Sequence, residues 1–393
     1  MLTCGQHYII WQLHFCKLKR KFMSVPVVKF NKLDRPEFFR VLHGRVNKYF
    51  QDKDLSKHAN SSMVVKTVFM LCLYAIPLVL MITGVVTTFW FMMLMWFIMG
   101  FGMSGIGLSV MHDANHGSYS SNVYVNRGLG YVLNLIGGYH INWKIQHNVL
   151  HHSFTNVHGF DEDIEKGVMR FSPDQERKPI FRYQVYYAPI LYGLLTIFWL
   201  VAKDFIQLFR YNKKELLEGQ NQTFREALTY IIINKTWYIA ITLILPILVL
   251  DLPWWQVLLG FLMMQFISGL ILALIFQPAH VLEETNFFKP DENGSVENNW
   301  AIHQMHTTAN FANDSVVFSW FIGGLNHQIE HHLFPNICHV HYKELSHIVK
   351  ATAEEYEVPY YQHKTFFGAL KSHFTLLNKL GTGKYDLELA KAS

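Results

Sequence analysis

The run TVFMLCLYAIPLVLMITGVVTTFWFMMLMWFIMGFGMSGIGLSVMH, Thr67 to His112, contains no Asp, Glu, Lys or Arg. As one continuous helix it would be about 69 Å long, roughly twice the hydrocarbon thickness of a bilayer. Two spans, at about 66–84 and 87–110, account for it, joined by a tight turn at Thr83-Gly84. Gly100, Gly102, Gly105 and Gly107 near the end of the second span predict close backbone packing there.

A second hairpin follows the same logic. Residues 229–250 form one span, with Lys235 near enough its start to snorkel to the surface. Asp251-Leu252-Pro253-Trp254-Trp255 is the turn, with its tryptophans at interface level, and 256–276 return. The expected fold is an all-α integral membrane protein, four transmembrane helices in two hairpins with a cytoplasmic helical cap. Lys and Arg crowd the segment before the first span and residues 203–225, and both hairpin turns lack them. The positive-inside rule then places the termini and the cap in the cytoplasm.

The rest of the chain fits around these spans. Residues 1–65 read as a basic, amphipathic arm with a helix from Glu37 to Phe50, 66–345 as the membrane domain, and 346–393 as a C-terminal cytoplasmic tail. Residues 129–141 are apolar but too short to cross, and read as interfacial or re-entrant with a break at Gly137-Gly138. Val185 to Ala202 is long enough to cross, but it contains Pro189 and is tyrosine-rich at its start, so it reads as an aromatic interfacial helix. Charged residues are 16% of the chain, below the usual quarter of soluble proteins, and the net charge of +5 comes with no basic-aromatic pattern for nucleic acid. The cysteines Cys4, Cys16, Cys72 and Cys338 make no disulfide framework, since Cys72 lies inside a span. Lys17, Lys19, Arg20 and Lys21 follow the first apolar stretch rather than precede it, unlike a signal peptide, and Met23 is a candidate true start.

Three histidine clusters sit beside these runs: His112-Asp113-Ala114-Asn115-His116, His147-Asn148-Val149-Leu150-His151-His152 and His327-Gln328-Ile329-Glu330-His331-His332. Each spaces two histidines four residues apart, a little over one helical turn, which puts both rings on one face. Adjacent residues point about 100° apart, so an adjacent pair can send one ring to each of two metal ions. One such motif alone is more often an exposed helical pair. Three of them, holding eight of the 22 histidines, point to a shared binuclear site.

Imidazole binds iron, copper and zinc. Catalytic zinc usually takes three protein ligands and a water, fewer than the nitrogens on offer here. Redox-active iron is the favoured occupant, with copper left open, and the membrane setting suggests oxidation of an acyl chain or other lipid. Such an oxidant has to be kept from bulk water. Asp113, Asp161, Asp163, Glu283, Glu284 and Glu330 sit beside candidate ligands and are expected to orient imidazole rings through their N–H groups.

The segment Gly323-Gly324-Leu325-Asn326-His327-Gln328-Ile329-Glu330-His331-His332-Leu333-Phe334-Pro335, taken with the other two clusters, resembles the membrane fatty acid desaturases. It is similar in particular to the front-end branch, where a glutamine replaces the first histidine of H-x-x-H-H. The likeness covers about 65–345 and is nearest the bacterial acyl-CoA and acyl-lipid desaturases. It implies an enzyme that uses O2 and two external electrons to introduce a cis double bond into an acyl-CoA or acyl-lipid chain. It also implies two Fe ions, a di-iron centre held by His112, His116, His147, His151, His152, His280, Gln328, His331 and His332. His327 repeats the spacing of His147 to His151 and is the alternative to Gln328, which the resemblance favours.

His303 and His306 are candidates for substrate contact or ligand support, with an exposed interfacial helix face the more ordinary reading. His140, His158, His339, His341 and His347 read as surface residues. No His-Pro-Gly-Gly haem motif of a fused cytochrome occurs, so a separate electron donor is expected, a b-type cytochrome or a ferredoxin with its reductase. Basic segments on the cytoplasmic face suit an acidic partner. A lipid hydroxylase is the nearest alternative enzyme. A membrane metal transporter or sensor fits less well, because the spans hold almost no ionisable groups.

Overall fold

The computed structural model describes residues 28–165 and 167–392. Met23, Cys4, Cys16 and the first basic cluster lie outside the described residues. Helix α1 (Pro36–Asp52) appears where the sequence places it, and buries Phe38, Leu42, Val46 and Phe50. Those side chains share a core with Ile302, Met305, Ile329, Leu333, Leu345 and Val349, so the arm is packed onto the segment that carries the third histidine cluster.

Helices α2 (Ser61–Ile82) and α3 (Phe89–His116) are the first two of four that are long and apolar enough to cross a membrane. Gly84, at φ 74°, makes the turn between them. Two boundaries differ from expectation. Helix α2 begins early enough to take Lys66 inside it, and α3 runs on to include the whole first cluster. The glycine series does bring backbones together: a Cβ on Gly102 would lie 2.7 Å from the Tyr74 amide nitrogen of α2.

Helix α4 (Val123–Leu135) is followed by Gly137 at φ 92°, the expected break. Next, α5 begins as His140–Lys144, loosens into a π-helix over Ile145–His151 and ends as His152–Phe154. A second π-helical turn, Ile106–Val110, precedes the first cluster within α3. Both therefore interrupt α-helical spacing at or beside histidines, and π-turns of this kind occur mostly at functional sites.

Helices α6 (Pro179–Gly193) and α7 (Leu195–Lys213) meet at a 61° bend, and the uncharged stretch 185–202 lies across it. The remaining long apolar helices are α8 (Phe224–Val249) and α9 (Trp254–His280). Lys235 does not snorkel. It is buried within α8, its Nζ 2.8 Å from Asp204 of α7 and within 3.0 Å of the Gly137 and Trp199 carbonyl oxygens. A buried ammonium needs such partners because its desolvation is otherwise uncompensated.

Short helices α10 (Trp300–Thr307), α11 (Val316–Phe321) and α12 (Gln328–Leu333) follow, then α13 (Tyr342–Glu355), α14 (Phe366–Thr382) and α15 (Lys384–Ala392). Two small parallel pairs tie distant segments: β1 (Lys29–Phe30) with β2 (Ser295–Val296), and β3 (Ala309–Phe311) with β4 (Tyr361–His363). Gly323, at φ 67°, fits directly against the Leu108 carbonyl of α3, where any Cβ would collide. That contact brings the third cluster beside the first.

Candidate metal centre

The three clusters and His280, the last residue of α9, converge. Ring nitrogens of His112, His116, His147 and His331 all lie within 4.8 Å of one another, and those of His151, His280 and His332 form a second such group. His152 is the seam between them. Its Nε2 is 2.9 Å from His331 Nε2 and 3.2 Å from His147 Nε2, while its ring stacks on His332 at 4.3 Å between centroids. The adjacent pair His331-His332 splits between the groups, as one residue's rotation predicts. The pair His147 and His151 also splits, because the π-helix over 145–151 replaces α-helical spacing.

The residues behind these rings set their direction. His332 donates Nδ1–H to the Gln304 side-chain oxygen at 2.8 Å, and His280 donates Nδ1–H to the Thr307 carbonyl at 3.2 Å. His151 Nδ1 faces the Asp161 carboxylate at 3.1 Å. With hydrogen on Nδ1, the Nε2 lone pairs of all three turn toward their shared space. The Nε2 atoms of His280 and His332 have no hydrogen-bond partner among the described residues. In the other group, His331 Nδ1 lies 3.2 Å from the Tyr342 hydroxyl.

A metal ion fits this arrangement. Burial first, and neighbouring imidazoles second, push His147, His152, His331 and His332 well below the ordinary histidine range, so their lone pairs are not lost to protons. His112 and His147 approach Nε2 to Nε2 at 3.2 Å. Two imidazole nitrogens bound at about 2.0–2.1 Å to one ion are separated by a similar distance, which is the spacing a coordinated pair needs.

Gln328 is buried at the start of α12, four residues before His332. His327 belongs to neither group; its Nδ1 accepts from the Asn313 amide at 2.8 Å. Of the carboxylates, Asp161 backs His151, and Asp163 lies beside it while accepting from Gln146. Asp113 has His339 as its main ring partner. Glu283 pairs with Lys379, and Glu284 with Ser372 and His363, away from the rings they were expected to orient. Glu330 is held by Asn310 and Tyr360, and its burial raises its carboxyl to about 7.

Several outlying histidines need correction. His303 is fully buried, with Nε2 2.7 Å from the Thr155 carbonyl, and His306 is partly buried. His339 and His341 are buried too, against Asp113 and the His58 carbonyl. His140 and His158 are half-buried, and His347 is exposed as expected. Gln304 and Tyr342 were missed altogether. Nothing in their local sequence distinguishes them from other polar helix residues.

Comparison with known proteins agrees with this geometry. A family model for fatty acid desaturases matches residues 88–364. The chain is 36% identical over 349 residues to the sn-1 linoleoyl-lipid 6-desaturase of Synechocystis sp., covering 88% of this chain and 95% of the relative. It is 34% identical over 346 residues to the protein of the same name from Arthrospira platensis, covering 87% and 92%. It is also 34% identical over 365 residues to an acyl-lipid (8-3)-desaturase of Physcomitrium patens, covering 90% and 74%.

Proposed function

The chain belongs to the fatty acid desaturase family and is an oxidoreductase that desaturates fatty acids; from that premise we propose that it acts on acyl chains esterified in membrane lipids, at a site holding two iron ions. The named relatives carry the choice of an acyl-lipid over an acyl-CoA. The observation that carries the metal reading is the convergence of largely buried imidazoles into two groups with His152 between them. His112, His116, His147 and His331 would hold one ion, and His151, His280 and His332 the other. His152 contributes at the seam, and Gln328 completes the second set directly or through water.

When bound, the iron pair supplies the oxidising power to break an unactivated methylene C–H bond. The balanced reaction takes one –CH2–CH2– unit, O2, two electrons and two protons to a cis –CH=CH– unit and two waters. The protein's part is to direct nitrogen lone pairs inward and exclude solvent. Trp143 stacks on His147 at 4.5 Å, and Phe276 packs on His151 and His280 at 5.0 and 5.2 Å, forming an aromatic wall against the rings. Low local polarity protects a strong oxidant from quenching by water.

The four spans are proposed to form two hairpins with the site, cap and termini on the cytoplasmic side. Parity supports this: the third cluster meets the second, so the chain between them crosses an even number of times. Helices α8 and α9 supply two crossings, and the 61° bend suits α6–α7 to returning within one leaflet. Electrons would come from a separate cytochrome or ferredoxin docking on the basic cytoplasmic face.

Expression of the full chain in a host of defined lipids, with double-bond mapping of each lipid class, tests the substrate. New unsaturation confined to free fatty acids or acyl-CoA would overturn the lipid assignment. Iron measured in purified protein tests the centre, with two equivalents per chain expected. His327→Ala beside Gln328→Ala separates the two ligand assignments; loss of iron only in His327→Ala would reverse the choice.

A further inference from the structure

Around Asp113 lies a second buried constellation that the proposed chemistry leaves unused. Lys66 sits inside α2, yet its side chain is only 2% exposed. Its Nζ is 2.7 Å from His339 Nε2 and 5.4 Å from the centre of the Trp320 ring of α11. His339 Nδ1 is 2.7 Å from Asp113 Oδ2, which also accepts from the Cys338 thiol at 3.0 Å and the His339 backbone N–H at 3.3 Å. The other oxygen, Oδ1, faces His112 Nδ1 at 3.7 Å, and that nitrogen has no hydrogen-bond partner among the described residues.

One assignment of hydrogens fits these contacts. A carboxylate oxygen 2.7 Å from Nδ1 calls for a hydrogen on Nδ1. Nε2 of the neutral ring then carries the lone pair, and the Lys66 ammonium donates to it. Asp113, Cys338 and His339 are close enough together to hold a metal. The positive charge there is already supplied by Lys66, one imidazole away. A lysine in a membrane helix is costly unless partnered, and such residues usually serve function.

We infer that Lys66 and His339 are positioning residues for the four-histidine group. Together they hold Asp113 with its negative Oδ1 behind His112 Nδ1, at 3.7 Å, so that the nearby charge favours hydrogen on that nitrogen and leaves the Nε2 lone pair toward His147. The chain runs from the first long apolar helix, through the residue after Cys338, to the first cluster, and joins segments far apart in sequence. This inference rests on the metal reading proposed above.

The test uses purified full-length enzyme in lipid nanodiscs, stripped with chelator and titrated anaerobically with ferrous ion. Bound iron is counted by mass spectrometry, with turnover and thermal midpoint measured alongside. Lys66→Met and His339→Leu should weaken one of the two iron equivalents about 10–100-fold, the usual effect of losing an outer hydrogen-bond partner. Lys66→Arg and His339→Gln keep a donor and an acceptor in the same order, and should recover most of that affinity. Wild-type iron binding in both disruptive variants would overturn the inference. So would equal loss in His339→Gln and His339→Leu with a lowered thermal midpoint, since that pattern means packing alone. A wild-type enzyme that binds no iron sinks the metal reading itself; a loaded wild type with equally loaded variants sinks only this step.

Discussion

In the three-histidine group, His151, His280 and His332 each present Nδ1 to a protein acceptor: Asp161, the Thr307 carbonyl and Gln304. In the four-histidine group, His331 meets the Tyr342 hydroxyl at 3.2 Å, and His112 faces Asp113 at 3.7 Å. The first group has its ring orientations set by neighbours of fixed position. The second crowds its nitrogens together, with His112 and His147 at 3.2 Å, and would rely more on the proposed ion to hold them. Similar rings thus make one site whose orientations are set by direct hydrogen bonds and another backed at longer range, which the proposed ion would complete.

Substitutions can break or sharpen this contrast. His332→Ala removes a nitrogen from the smaller, pre-set group, and should lower desaturation by about a hundredfold or more, with loss of one iron equivalent. Double-bond yield and iron content check it; retained iron would remove His332 from the ligand set. Gln304→Leu leaves His332 in place but removes its acceptor, and should weaken iron binding about 10–100-fold. Tyr342→Phe makes the matching change behind His331, where the expected loss is under about tenfold because the contact is longer and carries less of the orientation. Parallel iron titrations decide the pair, and equal losses would erase the distinction between the groups. The smallest effect belongs to His327→Ala, which should leave iron content unchanged because that ring sits in neither group.

Much of the frame was legible in the chain. Long uncharged runs report spans because a bilayer leaves backbone no alternative to helix, and no charge is tolerated unpaired. The same rule misled at Lys66 and Lys235: each looked like a boundary or a snorkelling residue, and each is buried beside a partner far away in sequence. The clusters carried the site through their composition. His280 came only through resemblance, since a single histidine after an apolar run has no pattern of its own. His303, His339 and His341 were misplaced because burial of short polar segments depends on tertiary folding, which local periodicity does not encode. The π-helical turns were equally silent, and the one over 145–151 carries both His147 and His151, which go to different groups.

The Lys235–Asp204 pair has a consequence for how the chain is made. Lys235 stands near the middle of α8, where a lone lysine costs a nascent helix about 2.5–3.5 kcal/mol to insert. Asp204 leaves the ribosome first, so its carboxylate is waiting when the ammonium arrives. The order of synthesis therefore supplies the counter-charge ahead of the need, and a chain that lost Asp204 would expose an unpaired cation to the surveillance machinery of its membrane before catalysis ever came into question.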